Sequence, residues 1–110
     1  FSLNAHLAPP NSFLLKVQGD SMIGDYIQDD DYVLVQSQPD AQSGDIVVAA
    51  IDGEVTVKRF MRKQEGISLV PSNPELTEIR VPEGAELRII GKVVGVFRFL
   101  GPNTWRDRGD

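Results

Sequence analysis

The stretch Asp45–Met61, DIVVAAIDGEVTVKRFM, decides how this chain is read. Two runs rich in β-branched residues, Asp45–Ile51 and Glu54–Met61, flank the pair Asp52-Gly53. An Asp-Gly pair between such runs favours a type I′ turn, whose two central residues both need positive φ. The stretch therefore predicts a β-hairpin. Working outward toward the amino terminus, Tyr32–Gln36 (YVLVQ) reads as a strand and Phe13–Val17 (FLLKV) as a short buried one. Gly19-Asp20-Ser21-Met22 turns the chain between them, Met22–Gln28 has room for one helical turn, and Asp29-Asp30-Asp31 bends the chain again. Pro39–Gly44 is a loop. Toward the carboxy terminus, Ile67–Val70 is a strand stopped by Pro71-Ser72-Asn73-Pro74, and Ile79–Val81 is a short strand before Pro82-Glu83-Gly84. Leu87–Leu100 is one long strand or two, with Gly91 and Gly95 as bend or bulge points.

The composition agrees. Val and Ile number 20 against 15 for Leu and Ala, and Gly and Pro make 17 of the 110 residues, a balance that suits short strands joined by many turns. The expected fold is mostly β: one domain of compact, strongly bent sheets with about seven short strands. Residues 1–12 form an extended arm, 13–100 the folded domain and 101–110 a polar tail. The absence of Cys excludes disulfides, a thiol nucleophile and thiolate metal sites. No apolar run approaches the roughly 18 residues of a membrane span, and Phe1–Asn11 does not read as a signal peptide, so the expected location is the cytoplasm, with no membrane contact. A net charge of -5 argues against a nucleic-acid groove in these residues, since phosphate contacts need clustered Lys and Arg.

Ser21 follows a strand end and a Gly, so its hydroxyl projects from a sharp turn where neighbouring N–H groups can face a developing oxyanion. By itself, a serine there is an ordinary turn residue. A nucleophile needs a base, and the one histidine, His6, falls in the arm and reads as solvated. The other base able to activate a serine is a neutral lysine. Lys58 stands in the Glu54–Met61 strand; alternation puts Glu54, Thr56, Lys58 and Phe60 on one face and Val55, Val57 and Arg59 on the other. Either face can be half-buried, so alternation leaves the direction of Lys58 open. At the ordinary pKa of about 10.4, on the order of one lysine in two thousand is neutral at pH 7. Burial among Val, Ile and Phe depresses that pKa, whereas a strand-edge lysine keeps its ammonium in water.

Phe13–Met22 (FLLKVQGDSM), Tyr32–Val35, Gly44–Ala50 (GDIVVAA), Asp52–Phe60 (DGEVTVKRF), Val70–Pro74 (VPSNP) and Ile90–Phe97 (IGKVVGVF) together resemble the C-terminal domain of LexA-type repressors. The same order of motifs recurs in UmuD-like proteins and self-cleaving phage repressors. The resemblance implies a β-rich serine endopeptidase fold, like that of signal peptidase, with no cofactor and no metal. It implies Ser21 as nucleophile, Lys58 as general base, and the backbone N–H groups of Asp20 and Ser21 as oxyanion hole. Thr56 lies one step along the Lys58 face, where it can hydrogen-bond the amine. Domains of this kind cut an Ala-Gly type bond in their own chain, promoted in LexA by a RecA filament. The cut separates the peptidase from a helix-turn-helix domain that binds DNA, and so relieves repression of DNA-damage genes.

The sequence departs from that pattern in places. It contains no Ala-Gly or Cys-Gly dipeptide, and the family carries its cleavage bond further before the serine than the 20 residues that precede Ser21. The expectation is a piece that retains the peptidase and lacks its own substrate loop and DNA-binding domain. Asp30 stands where relatives carry Gly, and Asp tolerates the left-handed backbone that such a turn requires.

Asp25, Asp29, Asp30 and Asp31 lack the spacing and Gly of a calcium loop and read as a solvated acidic turn. Arg108-Gly109-Asp110 spells an adhesion tripeptide by coincidence. The stripe Val93, Val94, Val96, Phe97 and Phe99 suits a core, but alternate members of a terminal strand face outward, and the resemblance implies a homodimer through this region. Competing readings are a UmuD-like polymerase subunit or phage repressor with the same dyad, a signal peptidase, and a silent dimerisation domain.

Overall fold

The computed structural model describes residues 9–101. His6, most of the arm and the Arg108–Asp110 tripeptide lie outside the described residues. Seven strands follow in order: β1 Ser12–Lys16, β2 Tyr32–Ser37, β3 Ile46–Ile51, β4 Glu54–Lys63, β5 Gly66–Val70, β6 Ile79–Arg80 and β7 Leu87–Phe97. They form a single antiparallel sheet in the order β1-β2-β7-β3-β4-β5-β6, where the sequence suggested more than one sheet. The one helical element among the described residues is a 3₁₀ turn at Ile23–Asp25, inside the segment expected to hold it. No described helix is long and apolar enough to cross a membrane.

The hairpin forms as its turn chemistry dictates. Asp52 and Gly53 take φ of 49° and 86°, the two positive values a type I′ turn needs, and β3 and β4 pair from Ile51 with Glu54 to Ile46 with Arg59. Asp30 takes φ of 76°, as expected for an Asp in a glycine-like turn position.

β3 is buried on both faces. Val48 packs with Val17, Met22, Ile27, Val33, Val35 and Val57, whereas its neighbours Val47 and Ala49 pack with Phe60 and Leu69. Successive residues thus serve two apolar clusters on opposite sides of the sheet. β1 corrects an expectation: Phe13 and Leu14 are 37% and 57% exposed, not buried. The physical reason is position, since β1 pairs only with β2 and forms one edge of the sheet.

β7 is one strand, ending at Phe97 rather than Leu100, and it bulges twice. Opposite β2, Leu34 pairs with Gly95 and Val35 with Val93, leaving Val94 extra. Opposite β3, Val48 pairs with Gly91 and Ala49 with Ile89, leaving Ile90 extra. Each bulge adjoins one of the two glycines. An extra residue bends a strand and sharpens its twist, and β7 lies between β2 and β3, so its bends curl the sheet as a whole.

Candidate active site

That curl brings distant strands together. In a flat sheet β1 and β4, four steps apart at about 4.8 Å each, would stand roughly 19 Å from one another. Instead Leu15 to Gln18, at the end of β1, and Val55 to Lys58, on β4, line one open cleft of about 220 Å³ together with Ser21.

Ser21 is placed by a tightly tied loop. Past β1 the backbone ladder continues for one residue: the Val17 N–H donates to Asp31 O at 2.7 Å, and the Asp30 N–H donates to Val17 O at 2.8 Å. Gly19 then takes φ of 89°, and its N–H donates to Asp29 Oδ1 at 2.6 Å. Met22, immediately after the serine, is 1% exposed and sits in the Val-rich cluster, so an apolar anchor fixes the turn from below. Arg59 of β4 ties the same segment to the loop before β3, with Nη2 2.7 Å from Asp25 Oδ1 and Nη1 donating to Gly44 O.

Lys58 Nζ lies 3.2 Å from Ser21 Oγ and 2.5 Å from Thr56 Oγ1. Thr56 and Lys58 are two apart on β4 and so share a face. Burial pushes the Lys58 pKa below its ordinary value and is the only cause at work. A lysine made neutral in this way has one lone pair and two N–H groups. The lone pair can take the serine proton while an N–H donates to Thr56 Oγ1, which orients the amine. The amides of Asp20 and Ser21 have no acceptor among the described residues, so both remain able to receive an anionic oxygen.

The acidic run disperses into separate contacts. Asp25 meets Arg59, Asp29 accepts from Gly19, and Asp30 lies 2.8 Å from Lys16. Asp31, 1% exposed, receives Arg98 Nε at 2.8 Å and Nη2 at 2.9 Å. On β7, Val94, Val96 and Phe97 are more than two-fifths exposed.

Two residues of the site escaped sequence reasoning, which read Pro71–Pro74 as a strand breaker within a family motif and gave Ser72 and Asn73 no role of their own. Ser72 N–H donates to Ser21 O at 2.9 Å, and Asn73 Nδ2 donates to Asp20 O at 3.0 Å. The available signal was two short polar residues between prolines, which can donate no backbone hydrogen bond of their own.

The sequence profile of the family described as Peptidase S24-like matches residues 1–94. The chain is 47% identical over 95 residues to the LexA repressor of Geobacter sp. (strain M21), an overlap covering 86% of this chain and 47% of that protein. It is 51% identical over 88 residues to the LexA repressor of Thermotoga petrophila, covering 80% and 44%. Against the LexA repressor of Oleidesulfovibrio alaskensis it is 55% identical over 83 residues, covering 76% and 40%. The chain spans about half the length of the curated relatives it matches.

Proposed function

The chain belongs to the Peptidase S24-like family, a family of peptidases, and from that premise we propose that it is the self-cleaving serine endopeptidase domain of a LexA-type repressor, working through a Ser21–Lys58 dyad. The observation that carries the reading is the 3.2 Å approach of Lys58 Nζ to Ser21 Oγ by an amine whose pKa burial lowers.

Ser21 Oγ attacks the carbonyl carbon of the scissile peptide bond while its proton passes to neutral Lys58. The carbonyl oxygen becomes an oxyanion received by the N–H groups of Asp20 and Ser21. The intermediate collapses, the C–N bond breaks, and the Lys58 ammonium gives its proton to the leaving amine. Water then attacks the ester on Ser21, again losing a proton to Lys58, and the acid departs as Ser21 recovers its hydrogen. In the intact repressor the bond is of the Ala-Gly type, a RecA filament promotes the cut, and cleavage frees this domain from the DNA-binding domain. The same domain forms a homodimer through the end of β7, where Val94, Val96 and Phe97 leave apolar surface uncovered.

Cleavage in trans tests the dyad. The substrate is a full-length LexA-type protein with its nucleophile mutated and its Ala-Gly loop intact, and products are followed by mass spectrometry from pH 7 to 10. Cutting rises with pH as Lys58 loses its proton, and Ser21→Ala and Lys58→Ala each lower it by about 1000-fold or more in a folded protein. Retained cutting in either variant removes the dyad. Sedimentation across a range of concentrations tests the dimer; a monomer throughout removes that part.

A further inference from the structure

The Pro71–Pro74 turn holds both peptide planes that flank the nucleophile. We infer that Asn73 is a positioning residue for the oxyanion hole, fixing the Asp20–Ser21 peptide so that the Ser21 N–H faces the substrate carbonyl oxygen. The inference rests on Ser21 being the nucleophile.

Asn73 is 6% exposed, and a buried side-chain amide needs partners for both its ends. Its Nδ2 donates to Asp20 O at 3.0 Å, and its Oδ1 accepts the Glu75 N–H at 2.9 Å. Turned over, the amide would set oxygen against the Asp20 carbonyl and NH₂ against the Glu75 N–H, so the network admits one orientation. Asp20 O belongs to the same peptide unit as the Ser21 N–H. In a planar trans peptide the carbonyl and the N–H point opposite ways, and no cis peptide is present. Asn73 holds that carbonyl at 3.0 Å, closer than the Ile23 N–H at 3.4 Å, and so sends the Ser21 N–H to the other side, where it has no acceptor among the described residues.

The following plane is held by backbone. Ser21 O accepts from the Ser72 N–H at 2.9 Å, and Ser72 O accepts from the Gly24 N–H at 2.6 Å. A Cβ at Gly24 would come within 2.5 Å of that same Ser72 oxygen, so the two turns are packed too closely to slide. Asn73 touches no reacting atom. It acts through the peptide that it orients.

Asn73→Asp separates its two roles, since a carboxylate still accepts from the Glu75 N–H but cannot donate to Asp20 O. In the trans-cleavage assay the rate on the high-pH plateau falls about 10- to 100-fold, and it falls likewise in Asn73→Ala, which adds no charge and leaves the pH midpoint set by Lys58 where it was. Ile89→Ala, which truncates the cluster of Val47, Ala49, Phe60 and Leu69 two strands away from Thr56, weakens the fold yet keeps the plateau rate. A wild-type plateau in Asn73→Asp, or a shifted midpoint in Asn73→Ala, overturns the inference. So does an equal loss in Ile89→Ala, which would mark stability as the cause. A second readout needs no turnover: the Ser21 amide resonance moves in both Asn73→Ala and Asn73→Asp, and an unmoved resonance overturns the inference. Failure of the dyad itself shows separately, as cutting that persists in Ser21→Ala.

Discussion

Lys58 is held beneath the ordinary lysine pKa by burial, so between the two values the unfolded chain binds a proton that the folded chain has released. Stability therefore rises with pH across that window. It is fully present above the unfolded value of about 10.4 and is lost as pH falls through the folded one. Lys58→Met abolishes this dependence. At pH 7 it unfolds at a higher urea concentration than wild type, by on the order of 1 kcal/mol or less after screening of a half-exposed group, and the gap closes toward pH 10. An unchanged gap at both pH values would mean that the amine is not destabilising the fold. The sequence showed Lys58 and Ser21 through the motifs around them, but not the direction of the lysine. Alternation was silent because β4 serves both faces: Val57 packs in one apolar cluster and Phe60 in the other, so neither half of its pattern reads as the wet one.

Among the elements, β7 shows most plainly what a sequence reveals and what it withholds. Gly91 and Gly95 were legible as bulge points because glycine within a β-branched run has no packing role of its own, and both bulges adjoin them. Their unequal constraint was not legible, because it depends on β2, a strand far away in sequence. A Cβ at Gly91 would meet Gln36 O at 2.5 Å and Val35 Cγ1 at 2.6 Å, whereas one at Gly95 would meet Leu34 Cβ at 3.5 Å, an ordinary contact. Gly91→Ala is therefore expected to cost about 1–3 kcal/mol through overpacking, and Gly95→Ala clearly less, as read from urea midpoints. Equal losses would place the strain elsewhere than in the β2–β7 contact. The β3–β4 hairpin was fully legible, since an Asp-Gly turn is a local signal. The burial of β1 was misread for the opposite reason: FLLKV has the composition of an inner strand, and only the order of the sheet makes it an edge.

At the scale of the whole molecule, the segment bearing Ser21 is tied to the end of β7 by an ion pair between buried Asp31 and a part-exposed Arg98. Asp31 closes that segment, and Arg98 follows the last residue of β7; the guanidinium grips the carboxylate through Nε and Nη2 and donates to Tyr26 O at 2.9 Å. The other carboxylate demand is local, the Gln28 N–H donating to Asp31 Oδ2 at 2.7 Å. The Arg98 hydrogen bond holds the Asp31 carboxyl below the usual carboxylate range, outweighing the burial that pushes it up. For a carboxyl depressed in the folded state, the stabilisation is present above the unfolded pKa of about 3.9 and is lost as pH falls through the folded value. Asp31→Asn still offers an oxygen to the Gln28 N–H but carries no charge for Arg98. Its urea midpoint should lie below that of wild type at pH 7, and the two should converge as pH falls below 4, because wild type is losing what the variant never had. Parallel curves over that range would show that Asp31 titrates alike in both states, and that Arg98 is not what fastens the Ser21 segment to the end of β7.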